Sequence, residues 1–227
     1  GVDGGLVKLG TNNLTLASYG STYTGPTAVS NGTLGITGAL PANNALVVAA
    51  AGEALIGGSA TQNVSAASLA LDGGTLGFAL ALDGTTNDRL TVASSPVLGA
   101  GSKIALYQLN TRLPFTRNGT YTLLTYSGAD PSAAGLTCAN AAYGKSYTFA
   151  ASGGNRTVTI ANDTAAASLW NVNASGSWGT AANWTFAPAS AAGSQVRFDA
   201  AITAPATVAT AGETAGEIYF NNLSPYT

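Results

Sequence analysis

Residues 6–36 read LVKLGTNNLTLASYGSTYTGPTAVSNGTLGI. Apolar residues alternate with polar or small ones through LVKLG, NLTLAS and GTLGI, and the segments between them are rich in Gly, Asn, Pro and Ser. Period-two alternation places apolar side chains on one face of an extended segment, while Gly and Asn accept the positive φ that a tight reversal needs. The stretch therefore predicts short strands joined by turns. Further strand candidates follow in ALVVAA, SLALDGGTLGFALAL, RLTVASS, KIALYQL, TYTLLTY, SYTFAAS, RTVTIAN, QVRFDA and EIYFNNL, punctuated by NG, GG, DG, GP and SG. The Ala-rich segments AAAGEAL and PSAAGLTCANAAYG carry neither a sustained apolar stripe nor clean caps, and predict no helix.

A Gly-x-Leu phrase recurs as GTNNLTL, NGTLGI, GGTLGF and, more loosely, NDRLTV, at irregular steps. Irregular repetition of one strand-turn unit predicts an all-β fold, a parallel β-helix or β-solenoid with irregular coils; a β-sandwich is the alternative. All three tryptophans, Trp170, Trp178 and Trp184, fall in a turn-rich segment beyond residue 165. Residues 1–165 accordingly read as the solenoid repeat region, and 166–227 as a Trp-containing module that continues it.

Eight Lys or Arg stand against ten Asp or Glu in 227 residues, with no His, one Cys and no Met. The cations are scattered singly from Lys8 to Arg197, which argues against a nucleic-acid binder, since displacing counterions takes a cluster. Without His the commonest general base and metal ligand is missing, and one Cys forms neither an internal disulfide nor a CxxC zinc site. Cys138 reads as a small apolar residue in or near a strand. The longest apolar run, ALVVAAAGEALIGG, is interrupted by Gly52 and Glu53, so no membrane-spanning helix is expected. Without Met the chain reads as a processed product or part of something longer. Low charge, high Thr, Asn, Gly and Ala and almost no Cys suit a bacterial extracellular surface protein.

The opening GGLVKLGTNNLTLASYGSTYTGPTAVSNGTLGI resembles the autotransporter-associated β-strand repeat: Lys8, Gly10, Leu14, Thr15, Leu16, Tyr23, Thr24, Gly25, Thr27, Val29, Gly32, Thr33 and Leu34 fall on its pattern. LWNVNASGSW to NWTF is similar to a Trp-containing segment that accompanies such repeats. The resemblance implies a parallel β-helix on a bacterial cell surface, used for adhesion, matrix formation or display, and implies no enzymatic activity. It covers one full repeat, with degenerate copies from 37 to 165 and no β-barrel translocator. In similar proteins IYFNNLSPYT leads into a phrase like the opening one, so the two ends read as the sides of one cut in a continuous pattern.

The expected function is thus a non-enzymatic structural protein that forms or extends a bacterial surface fibre, matrix or adhesin stalk by end-to-end stacking. Its candidate assembly ends are Leu6, Val7 and Leu9 at one side and Ile218, Tyr219 and Phe220 at the other. Its expected partners are further copies of itself, or the continuation of a longer repeat chain, with glycans as a further candidate. Trp170, Trp178 and Trp184 are candidates for core packing or for stacking on sugars. No cofactor is expected; Asp83, Asn87 and Asp88 in LDGTTNDRL offer oxygen ligands to Ca²⁺ but lack EF-hand spacing and read as a plain turn. Carboxylate catalysis would need two of Glu53, Asp72, Asp83, Asp88 and Asp199 brought together across stacked strands, and nothing in the sequence selects a pair. Tyr19, Tyr23, Tyr121, Tyr126, Tyr143 and Tyr147 read mainly as strand-surface or turn residues.

Overall fold

The computed structural model describes residues 4–17, 21–57, 61–84, 86–131, 135–142, 145–162, 168–185, 191–198, 202–213, 215–220 and 225. The chain divides into two compact units, Gly1–Asn162 and Asp163–Thr227.

In the first unit the strands are β1 (Leu6–Lys8), β2 (Asn13–Leu16), β3 (Thr27–Ile36), β4 (Ala45–Ile56), β5 (Asn63–Ala66), β6 (Ser68–Asp72) and β7 (Thr75–Leu80). They continue with β8 (Arg89–Val92), β9 (Val97–Leu98), β10 (Lys103–Gln108), β11 (Gly119–Tyr126), β12 (Thr137–Cys138), β13 (Lys145–Ser152) and β14 (Asn155–Asn162). One sheet orders β1-β3-β4-β7-β10-β12, with β2 also beside β3 and β6 joining β4 to β9. Its strand pairings are all parallel. Pairing of this extent is foreign to an antiparallel sandwich.

The long strands each serve two rows. The first part of β3 pairs with β1 and its last part with β2; β4 likewise spans β6 and β7. Between the rows the register slips at Val29/Asn31, where β4 carries one extra residue. Within each row the register stacks like on like. Leu34, Ala54, Leu76 and Ile104 form one column, and Ile36, Ile56, Phe78 and Leu106 the next. Val29, Val48 and Leu71 form a third in the other row. Every one of these side chains is at most 1% exposed. Neighbouring strands lie about 4.8 Å apart, so each rung seals the one before it, and burial of a Leu or Ile contributes roughly 1.5–3 kcal/mol.

A second sheet begins in the same manner, with β5, β8 and β11 parallel, and then reverses: β14 pairs antiparallel with β11, and β13 with β14. Over this stretch the pairing departs from the parallel pattern. The cause is local, because Gly153 and Gly154 both take positive φ (58° and 77°) between Ser152 and Asn155. A two-residue Gly-Gly loop of that geometry closes a hairpin and turns the chain back on itself. Two smaller corrections concern strand identity. SLALDGGTLGFALAL is two strands, β6 and β7, split at Gly73–Gly74, and β5 had no clear sequence signal. Tyr121 and Tyr126 are core residues, not surface ones, and Tyr19 and Tyr143 lie outside the described residues.

In the second unit β15 (Ser168–Leu169), β17 (Ala191–Phe198) and β19 (Ala215–Phe220) form a parallel sheet in that order. The pair β16 (Gly176–Ser177) and β18 (Val208–Ala209) is also parallel, and one 3-10 turn spans Ala181–Asn183. Its core gathers Trp170, Trp178, Trp184, Val196, Phe198, Ile202 and Ala206. Among the described residues no sheet closes on itself, and no helix is long and apolar enough to cross a membrane.

Candidate assembly surfaces

The motif residues Lys8 and Gly10 meet Asn31 at the first edge of the large sheet. Lys8 occupies the rung before Val29 in a buried column, where an apolar side chain would be expected. Its stem is buried, and its ammonium donates to the carbonyls of Leu9 (3.0 Å), Gly10 (2.7 Å) and Asn31 (3.0 Å). An ammonium has three N–H donors and no acceptor, so three converging carbonyls satisfy it. Lys8 thereby ties the turn after β1 to the middle of β3. We expect Lys8→Met, which keeps the stem, to lower the unfolding free energy by about 2 kcal/mol, checked by urea denaturation, because the charge-assisted bonds are lost.

Beside it, β2 presents the ends of the other two columns. Leu14 stands before Leu34 and Leu16 before Ile36. Leu34 and Ile36 are fully buried, yet Leu14 is 45% exposed. Val7 and Leu9 are also open, at 56% and 69%, whereas Leu6, expected at an assembly end, is half-buried against the core. In the second unit β19 is the last strand of its sheet among the described residues. Ile218 follows buried Val196 and Phe220 follows buried Phe198, but Ile218, Tyr219 and Phe220 are 49%, 40% and 65% exposed. The Phe220 ring lies flat on that of Phe198, at 5.0 Å and 11°. Sequence reading missed Leu14 as an exposed edge residue and Leu16, half-buried against the core, as its neighbour, although the Gly-x-Leu phrase was the available signal.

The tryptophans are packed inward. Trp170, Trp178 and Trp184 are at most 5% exposed, and the Trp184 Nε1 donates to the Trp178 carbonyl at 2.7 Å. Stacking on a sugar needs an open ring face, and none of the three indoles offers one here.

The acidic turn is engaged piecemeal. Asp83 accepts from the Thr86 amide and hydroxyl, and the Asn87 side chain donates to the carbonyls of Asp88 and Thr122. Asp88 is fully buried, and its two carboxylate oxygens each accept a backbone N–H, from Gln62 and Ala79, both at 2.7 Å. A Cβ on Gly57 would lie 2.3 Å from those oxygens, so the carboxylate fills a space that only glycine leaves. Burial, the largest influence, pushes the Asp88 carboxyl up to about 6, against the two amides, which act to lower it.

A raised folded-state value means that the native protein takes up this proton before the unfolded chain does. Asp88 therefore contributes stability that is present in full below about pH 4 and is lost as pH rises through about 6, a change of up to about 3 kcal/mol. Asp88→Ala is expected to remove that pH-dependent component. At pH 7 it also leaves two amides unpaired, at a cost of about 2 kcal/mol. Chemical denaturation of both proteins from pH 4 to 8 measures both effects.

Glu53 lies on the outer face in a structural pairing. It accepts from Thr33, Tyr107 and Arg112, and the Arg112 guanidinium covers the Tyr107 ring at 4.2 Å. Asp72 is exposed, and Asp199 lies outside the described residues. Cys138 ends β12, half-buried, with its thiol pushed up by burial. Among the described residues no three of His, Cys, Asp and Glu gather as a metal site. No protein-family model and no curated protein matches this chain.

Proposed function

We propose that this chain is a non-enzymatic, extracellular structural protein of a bacterial surface. In this reading it is a β-solenoid of the autotransporter-repeat kind that forms or extends a fibre, matrix or adhesin stalk by end-to-end stacking. One observation carries the reading: buried apolar columns run through in-register parallel strands, and their terminal members, Leu14 on one strand and Ile218 and Phe220 on another, are exposed. An uncovered edge of this type is a template for further strands, and natural proteins usually blunt it with charge, Pro or a covering element. β2 carries no charge, and β19 carries one, Glu217, with none among Ile218, Tyr219 and Phe220.

Electron microscopy of the purified chain in negative stain, with intact mass measured under denaturing conditions, tests the proposal. Regular filaments that dissolve into chains of 22.3 kDa are expected. Dispersed single particles at high concentration would count against it.

A further inference from the structure

Resting on that reading, we infer that the partner of β2 is β19 of a second copy, paired parallel with Ile218 beside Leu14 and Phe220 beside Leu16. Three observations converge on this register.

First, sense. In the large sheet the strands follow in chain order from β2 to β3 to β4, and in the second unit from β15 to β17 to β19, all parallel. Among the described residues, the position open beside β2 is that of a preceding strand, and the position beside β19 is that of a following one. A β19 seated before β2 continues both sheets with the same polarity and the same order.

Second, spacing. Both edges carry apolar column members two residues apart, Leu14 and Leu16 against Ile218 and Phe220, with Thr15 and Tyr219 between them facing the other way. Adding one rung turns two half-covered ends into interior positions of the kind that Leu34 and Ile36 already occupy.

Third, choice of strand. β1 is the other strand at this edge, but of its matching pair, Leu6 and Lys8, Lys8 is committed to three carbonyls. Seating Phe220 on Lys8 would cover a charge with a ring and add little apolar burial. β2 offers Leu14, which is open, and Leu16, half-buried as Leu6 is, with no charge to cover.

The contact joins different surfaces of two identical chains, so it is heterologous. Such a contact repeats as an open filament unless the rotation closes a ring.

The test is a cysteine pair in the full chain with Cys138→Ser to remove the native thiol. Leu14→Cys with Ile218→Cys puts two thiols on directly paired parallel residues, close enough to bridge. Mild oxidation is expected to give a non-reducing gel ladder at multiples of 22.3 kDa, while a mixture of the two single variants gives dimers only. Leu6→Cys with Ile218→Cys is the comparison, and circular dichroism confirms that each variant folds. Filaments with a ladder from the Leu6 pair and none from the Leu14 pair would overturn this register and leave end-to-end stacking standing. Absence of both filaments and ladders would overturn both.

Discussion

Trp170→Ala is expected to remove about 3–5 kcal/mol from the second unit, more than a unit of this size can lose and stay folded. The indole is fully buried, edge-on to Trp184 at 5.1 Å and tilted against Phe198 at 5.9 Å. Its removal leaves a void bordered by the other large members of this core. Hydrogen exchange read by mass spectrometry should show loss of protection through β17 and β19, with β3 and β4 unchanged because they pack in a separate core. The fluorescence of Trp178 and Trp184 should shift to the red as they meet water. Trp170→Phe separates bulk from polarity: the Trp170 Nε1 has no acceptor among the described residues, so Phe keeps much of the packing and removes a buried orphan donor. It should cost far less than Ala. Unchanged exchange in Trp170→Ala would mean that the tryptophan cluster is not what holds this unit together.

Gly32→Ala is expected to cost about 3 kcal/mol or more in the first unit, from two sources that add. Gly32 sits at φ 67°, in the left-handed region that L side chains rarely adopt. A Cβ there would also lie 2.5 Å from the Gly10 carbonyl and 2.8 Å from the Asn12 carbonyl, and backbone cannot swing aside as a side chain can. Gly10 is also the carbonyl held by Lys8, so the substitution strains the clasp that closes this edge. Gly35→Ala is the control. It stands three residues along the same strand, and its added Cβ meets nothing nearer than the Thr15 hydroxyl at 3.4 Å, so its cost should stay below about 1 kcal/mol. Urea midpoints of the two variants measure the contrast, and equal midpoints would show that the approach of the β1–β2 turn to β3 is not tight in solution.

Both substitutions fall on residues that stood out in the sequence for other reasons. Gly32 was legible as turn chemistry, yet it lies within β3, and the demand on it comes from a turn 20 residues earlier in the chain. Lys8 was legible only as a motif position and as one of eight cations. Its place in an otherwise apolar column depends on three carbonyls, two in its own turn and one in β3. Asp88 read as a turn residue with calcium as its rival use. What decides its chemistry is the convergence of the Gln62 and Ala79 amides and the bare Gly57, none of which is near enough in sequence to be read with it.

The sequence by itself determined the all-β class, most of the strands and their inward faces, because period-two alternation and glycine turns are local properties of a few adjacent residues. It also carried the Gly-x-Leu phrase, of which Leu14, Leu34 and Leu76 fall in one column while Leu90 of the looser copy lies in the second sheet. The tertiary structure alone decided the pairing: which strands run parallel, where Gly153–Gly154 reverses the order, that the tryptophans face inward, and that Leu14, Ile218 and Phe220 are exposed at the ends of their columns among the described residues. Those outcomes depend on contacts between residues far apart in the chain, and alternation sets the face of a strand without naming the neighbour that covers it.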